Sequence, residues 1–344
     1  MSTHELEPVD PHSAVEMYLK DMNGRLSPNT VRARDYRLSD FVEWCDGKDN
    51  GNDPRLTDLS ELSGRDIYRY KNWRKDEINK VTLRTHLSDL RGFLRFCVTI
   101  DAVPESLPEK VDVPVLSDGE NERETILDAH VAEGIIDFLD QYYYASLNHV
   151  LVLLLWQTGA RISGMHSLDV GDVDLEEETI SIQHRPDQGT RLKNGPDGER
   201  IVALPEGTVS VLDDYINVKR EPVTDEYGRE PLFASPQGRM HINYLPKRVY
   251  AVTRPCQFGK QCPADKDPAD CEYVGPIDDA VACPHNTRPH DVRRGAITHW
   301  LRQDVPEKAI SDRMNVSTKT LDNHYDTRTK SEKAEQRRQY LDDV

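Results

Sequence analysis

Apolar side chains recur at the three- and four-residue spacing of an α-helix through the first part of the chain. Two helix starts are marked by their caps: Ser27 precedes a proline, and Ser63 precedes Asp66 by the three residues of a capping box. The pattern predicts an all-helical N-terminal domain over residues 1–105. Its most regular helix covers 82–99, where one face carries Leu83, Leu87, Leu90, Leu94 and Cys97.

Helical periodicity stops between residues 106 and 124, where prolines and acidic residues predict a linker. Beyond it, alternating runs at 179–183 and 200–204 flank a polar Gly/Asn loop, which predicts a β-hairpin with a long loop. The second domain, 125–330, is therefore expected to be mostly α with a small β-hairpin or sheet (α+β). Helices are expected near 130–139, 147–156, 208–218 and 291–302, after Pro306, and after Ser317, whose helix would carry Tyr325.

The charged C-terminal tail, residues 331–344, is either a helix that docks on a neighbouring protomer or a frayed end. The longest apolar run, 150–156, is far shorter than the ~20 residues that cross a bilayer, and the N-terminus lacks a signal-peptide pattern. We therefore expect a cytoplasmic protein without a membrane partner.

Acidic residues outnumber basic ones by 61 to 44, for a net charge of −17. Such a balance disfavours a polyanionic partner unless Lys and Arg are concentrated locally. Acidic residues spread along the whole chain are also typical of a halophile, and the Debye length is only about 3 Å in molar salt. One basic stripe, Arg84, Arg91 and Arg95, lies beside the apolar face of 82–99, and is either a solvated face or an edge that contacts phosphates.

Four cysteines, Cys256, Cys262, Cys271 and Cys283, fall within a Pro/Asp/Gly-rich insert over 255–286. So polar a segment cannot build its own core, and four thiolates suit a tetrahedral zinc site. No Cys-x-x-Cys pair is present, so two disulfides or free thiols remain alternatives, and His285 is a substitute ligand. The remaining cysteines, Cys45 and Cys97, lie within helical patterns and are expected in the core.

Five further residues form a pattern only when they are taken together: Arg161, Lys193, His290, Arg293 and Tyr325. The string TGARISGMHSLDVGDVD (158–174) resembles the first arginine motif of the tyrosine recombinases, the phage integrase and Xer family. HDVRRGAITHWL (290–301) resembles that family's His-x-x-Arg motif, and SDRMNVSTKTLDNHYDTRT (311–329) its nucleophile motif. The N-terminal helices look like the family's core-binding domain, so the resemblance covers nearly the whole chain.

The resemblance implies a DNA strand-transfer enzyme. Tyr325 would attack a DNA phosphate and form a 3′-phosphotyrosyl link, while Arg161 and Arg293 clamp the phosphoryl oxygens. Lys193 would protonate the leaving 5′ oxygen, and His290 would assist proton transfer. The family needs no cofactor for catalysis and acts on double-stranded DNA as a homotetramer on paired sites. DNA contacts are expected from the arginine stripe and from Arg294.

The chain departs from the family at several positions. Val316, beside Asn315, stands where the family has His or Trp, Gly164 stands where an acid is common, and Arg294 stands where many members have histidine. Two other classes of protein account for part of the sequence only. A non-catalytic helix-turn-helix regulator would explain the region around Ser317 but not the other motifs. A zinc hydrolase would need a spacing of the HExxH kind, which the chain lacks.

Overall fold

The computed structural model describes residues 6–47, 56–117, 120, 125–303, 305–325 and 338. The chain divides into two compact units, 1–123 and 124–344, and each is described here by itself. Among the described residues, no helix combines the length and apolar character needed to cross a membrane. The prediction of a mostly α fold with a small sheet is confirmed.

The described residues of the first unit form four helices, with short 3-10 turns between and after them. Side chains cap three of the helices, because Asp10, Ser27 and Asn79 each accept a main-chain N–H of the first turn. The Ser63–Asp66 capping box forms as expected. The helices are α1 (Pro11–Met22), α2 (Pro28–Cys45), α3 (Gly64–Glu77) and α4 (Lys80–Thr99).

Aromatic rings fill the centre of this unit. Phe41 meets Tyr70 edge to face at 5.3 Å between ring centroids, and Trp44 lies beside both rings. Leu107 and Val111, from the segment that follows α4, are buried in the same core. Part of the chain after α4 is therefore packed into the helical unit.

The second unit contains eight further helices among its described residues. Helix α6 is apolar on all sides, and nine of its residues, 149–156 and 158, are buried. Helices α5 and α10 pack against it. The helices are α5 (Ala129–Tyr143), α6 (Leu147–Thr158), α7 (Ile162–Ser167), α8 (Glu206–Asp214), α9 (Tyr244–Thr253), α10 (Pro289–Arg302), α11 (Glu307–Met314) and α12 (Thr318–His324).

A three-stranded antiparallel sheet in the order β1-β2-β3 borders this helical core. It consists of β1 (Val173–Asp174), β2 (Thr179–Ile182) and β3 (Arg200–Ala203), with Ile180 opposite Val202. The predicted hairpin is β2-β3, while β1 was not expected. A second hairpin pairs β4 (Ala234–Ser235) with β5 (Gly238–Arg239).

The C-terminal helices pack through a separate small apolar cluster, which includes Ile297, Ile310, Leu321 and Tyr325. Ser317 caps α12 by accepting the N–H of Thr320, as predicted. Tyr325 was expected within this helix and is instead its C-cap residue.

Candidate active site

Two arginines that are distant in sequence meet at one main-chain oxygen. The carbonyl of Asn315 accepts hydrogen bonds from Arg161 Nη1 at 3.3 Å and from Arg293 Nη2 at 3.2 Å. Arg161 is the N-cap residue of α7, and Arg293 lies in the first turns of α10. The fold therefore brings together the two guanidinium groups that the sequence motifs paired.

Arg293 is held deep in the protein, with 1% of its surface exposed. Its Nη1 donates to the carbonyl of Gly159 at 2.6 Å and to that of Met314 at 2.7 Å. Gly159 ends α6 in the left-handed conformation (φ 54°), which turns its carbonyl toward this guanidinium. Burial, together with the charge of Arg161, lowers the pKa of Arg293 to about 10, so the group stays charged at neutral pH.

Tyr325 lies against this pair. The side chain is 8% exposed, and its phenol is near enough to raise the pKa of Arg293 against the effect of burial. Burial lowers the pKa of Arg161, whereas the nearby Tyr325 phenol acts in the opposite direction, because a phenolate would favour the charged guanidinium. The guanidinium of Arg294 lies 5.9 Å from the centre of the Tyr325 ring. A nucleophile candidate and two cations thus share one site.

His290 and Lys193 lie at the exposed edge of the same site. His290 precedes Arg293 by about one turn of α10. Partial removal from water lowers the pKa of His290, and the charges of Arg293 and Lys193 act in the same direction. Lys193, on the β2-β3 loop, is therefore close enough to act on His290 electrostatically. The five residues singled out from the sequence therefore lie near one another in the second unit.

Two more arginines, Arg200 and Arg313, were not assigned to the site from the sequence. Arg200 begins β3 and donates from Nε to the Arg313 carbonyl at 2.7 Å. Burial lowers the pKa of Arg200 to about 10, and the charges of Arg293 and Arg161 contribute to the shift. Arg313 donates to the Gln157 carbonyl at 3.0 Å. The one available signal was the position of Arg200 on the hairpin that carries Lys193.

The site is positively charged because its arginines bond to neutral oxygens. Every hydrogen bond described for Arg161, Arg200, Arg293 and Arg313 is accepted by a main-chain carbonyl or by the amide of Asn315. Four guanidinium groups without a described carboxylate partner make an anion-binding site. A phosphodiester is an anion with the oxygen geometry that paired guanidinium donors recognise.

The predicted DNA-contacting stripe on α4 has partners within its own unit. Arg91 donates to the carbonyl of Val111, and Arg95 pairs with Glu109 at 2.9 Å. Arg84 is exposed, and it borders a groove of about 420 Å³ with residues 113–116. Two of the three arginines thus help to pin the segment after α4, while Arg84 faces solvent.

The insert brings its cysteines together. Cys256, Cys262, Cys271 and Cys283 are free thiols that line one cavity of about 100 Å³, which His285 also borders. Burial raises the pKa of Cys256, and the neighbouring Cys283 and Cys262 add to the rise. No cluster of three or more potential metal ligands is formed within the part of the chain that the structure describes. Cys45 and Cys97 are buried in the first unit, as expected.

Two family models match the chain. Residues 125–254 match the phage integrase family, and residues 15–99 match the phage integrase N-terminal SAM-like domain. The first match ends before His290. Together the matches cover more than half of the chain, which belongs to the phage integrase family of tyrosine recombinases.

Named relatives agree with this assignment. The chain is 23% identical to tyrosine recombinase XerA of Thermococcus kodakarensis over 316 residues, covering 91% of this chain and 89% of that one. It is 23% identical to tyrosine recombinase XerC of Chlamydia trachomatis serovar L2 (strain ATCC VR-902B / DSM 19102 / 434/Bu) over 266 residues, covering 74% and 70%. The protein is a site-specific recombinase.

Two solved structures share the fold. The Tn1549 transposon integrase in complex with circular intermediate DNA matches with a TM-score of 0.63 and 17% identity, over 96% of this chain and 100% of that one. The lambda integrase bound to DNA matches with a TM-score of 0.58 and 13% identity, over 89% and 91%.

Proposed function

We propose that this protein cuts and rejoins double-stranded DNA at specific sites through a covalent bond between Tyr325 and a 3′ phosphate. The observation that carries the proposal is the meeting of Arg161 and Arg293 at one oxygen, with the buried Tyr325 close enough to act on the pKa of both arginines. A scissile phosphoryl oxygen would take the place of the Asn315 carbonyl. The paired donors would then stabilise the charge that builds on the phosphate in the transition state.

In the cleavage step, the Tyr325 oxygen forms a bond to phosphorus as the bond from phosphorus to the 5′ oxygen breaks. The phenol loses its proton to a base in the cleft, and the leaving 5′ oxygen gains a proton from Lys193. Because the phosphotyrosyl ester keeps the energy of the broken bond, a 5′ hydroxyl of another strand can reverse the step. No metal or cofactor is required for this chemistry, since the arginines supply the positive charge.

His290 would assist the proton transfer. Its lowered pKa keeps the imidazole neutral at pH 7, so it can accept a proton in the cleft. Arg294, whose guanidinium lies 5.9 Å from the centre of the Tyr325 ring, would contact the DNA backbone near the cleavage point. Further backbone contacts would come from the first unit, where Arg84 and Arg95 are the exposed members of the stripe. The active assembly would be a homotetramer on paired sites.

A purely regulatory DNA-binding role fits the site less well. A helix-turn-helix reader needs only the turn around Ser317 and exposed side chains on the helix that follows. Tyr325 is instead buried against arginines from α7 and α10. A regulatory DNA-binding role does not explain a cluster of guanidinium groups whose described partners are neutral oxygens.

A nicked suicide substrate tests the proposal. Cleavage beside a nick releases a short fragment and traps the protein on DNA, so a covalent adduct should appear on a denaturing gel. Tyr325→Phe should abolish the adduct and leave DNA binding intact. Tyr142→Phe, at a position that is 62% exposed, serves as the control and should behave like the wild type. An adduct that survives Tyr325→Phe would refute the assignment of the nucleophile.

We also propose that the insert holds a structural zinc ion. Four thiols around one small cavity fit the preference of Zn²⁺ for tetrahedral sulfur ligands. Protein purified without chelator should contain about one zinc per chain by mass spectrometry. The Cys271→Ser variant should lose the metal and become more sensitive to proteolysis within 255–286. Metal-free protein with four titratable thiols in the insert would contradict the proposal.

A further inference from the structure

Asn315 lies between the arginine pair and the β2-β3 loop. It ends α11 in the left-handed conformation, with φ 48° and ψ 62°, which asparagine tolerates better than most residues. Its main-chain carbonyl is the oxygen that Arg161 and Arg293 share. The next residue, Val316, is 6% exposed and carries no group for proton transfer. The chemistry of this turn therefore comes from Asn315.

The side-chain amide of Asn315 connects two parts of the site. Its Oδ1 accepts from Asn194 Nδ2 at 2.6 Å and from Arg161 Nη1 at 3.3 Å. Its Nδ2 donates to the carbonyl of Asp197 at 2.5 Å. Two of these three bonds go to the β2-β3 loop, and one of them is made to the residue that directly follows Lys193.

We propose that Asn315 is a positioning residue that holds the loop carrying Lys193 against the arginine pair. In this role it aligns the proton donor with the leaving 5′ oxygen. The inference rests on the proposed function, because it concerns how the general acid of that reaction is placed.

The loop needs such an anchor. Lys193 is exposed, and Gly189 and Gly195 on either side of it adopt positive φ angles. A long, flexible side chain on a loop approaches a reacting oxygen only when the loop itself is fixed, since catalysis by proximity depends on sub-ångström placement. On the near side, Leu192 is buried and its N–H donates to His184. On the far side, the described side-chain bonds that connect the loop to the C-terminal turn are those of Asn315.

Asn315→Gly is the informative variant. Glycine keeps the left-handed backbone and the shared carbonyl, and removes only the amide. We expect the cleavage rate constant to fall by about 10- to 100-fold, which is less than the ~10²–10⁴-fold that a general acid contributes. The dissociation constant for DNA and the melting temperature should stay close to the wild-type values. Asn194→Ala should reproduce the defect, and Asn217→Ala, which removes a surface amide bonded to Asp213, is the matched control.

A sulfur substrate separates positioning of the acid from other effects. When the bridging 5′ oxygen is replaced by sulfur, the leaving thiolate needs no proton, since thiols are far more acidic than alcohols. The Asn315→Gly variant should cleave this DNA at the wild-type rate, as Lys193→Ala should. On ordinary DNA, the Lys193→Ala/Asn315→Gly double variant should be no slower than Lys193→Ala alone.

Three results would overturn the inference. They are a wild-type rate for Asn315→Gly on ordinary DNA, a defect that persists on the sulfur substrate, and additive defects in the double variant. A defect that persists on the sulfur substrate would mean that the Asn315 amide acts by positioning the arginine pair rather than Lys193. Failure of the proposed function would look different, because the wild-type protein would then form no adduct on either substrate.

Discussion

Gly295 is the position at which the packing behind the site leaves least room. It lies two residues after Arg293 on α10, and a Cβ built there would stand 2.1 Å from the carbonyl oxygen of Leu127 and 3.1 Å from a ring carbon of Trp156. Ordinary contact begins at 3.4 Å. Gly295→Ala therefore forces the main chain at Leu127 away from α10 by more than an ångström.

The cost follows from what that movement breaks. The N–H of Leu127 donates to the carbonyl of Asp291, so separation loses one buried main-chain hydrogen bond, worth about 1 kcal/mol. Overpacking adds about 1–3 kcal/mol, and alanine returns about 1 kcal/mol of helix propensity. The net loss is about 2 kcal/mol, which lowers the melting temperature of a domain of this size by about 4–8 °C.

Scanning calorimetry on two variants tests the reasoning. Gly134 lies inside α5, and a Cβ added there meets nothing within 4 Å. Gly134→Ala should therefore gain about 0.5–1 kcal/mol from helix propensity and melt slightly higher than the wild type. The two substitutions should therefore shift the melting temperature in opposite directions. If Gly295→Ala melts at or above the wild-type temperature, the close approach of α10 to Leu127 is refuted.

Three other predictions concern the site and its supports. Arg293→Lys should slow adduct formation on the suicide substrate by about 10²–10³-fold, because a lysine ammonium cannot replace guanidinium donors that reach three carbonyls. A rate within threefold of the wild-type rate would contradict this. Gly159→Ala should lower the free energy of unfolding in urea by about 1–3 kcal/mol, because the added Cβ would meet Met314 Sδ at 2.7 Å and the residue has a φ of 54°. An unchanged free energy of unfolding would argue against that contact. Burial and the charges of Arg239 and Arg229 lower the pKa of His166 from 6.5 to about 4. The unfolded state therefore binds a proton at a higher pH than the folded state does, and the folded protein loses stability as the pH falls from 6.5 toward 4. His166→Gln should reduce that loss in urea titrations at pH 7 and pH 5, and an identical pH dependence would rule out this histidine as the cause.

Local signals in the sequence located the elements well. The Ser63–Asp66 capping box and the alternating runs of β2 and β3 depend on neighbouring residues, and both appear where they were expected. Arg161 and Arg293 were paired through motif resemblance, and the fold places them on one carbonyl. Their catalytic roles stay predictions until the adduct assay is done.

The missed features depend on long-range geometry. Arg200 enters the site because β3 runs beside α11, and no local pattern encodes that contact. In the sequence, Asn315 stands out only as the neighbour of Val316, which replaces the family's His or Trp. Its function as a junction arises from a left-handed turn and from hydrogen bonds to residues more than a hundred positions away. The gathering of four thiols around one cavity likewise needed the folded insert.

The carbonyls that the arginines already contact have a consequence for substrate selection. Before DNA arrives, Nη1 and Nη2 of Arg293 already donate to the chain's own peptide oxygens, so a phosphate that bound these two nitrogens would have to replace carbonyl partners. An oxygen with a full negative charge accepts a stronger hydrogen bond from a guanidinium than a peptide carbonyl does. A DNA linkage without a negative charge, such as a methylphosphonate, would therefore bind Arg161 and Arg293 no better than the peptide carbonyls that it has to replace.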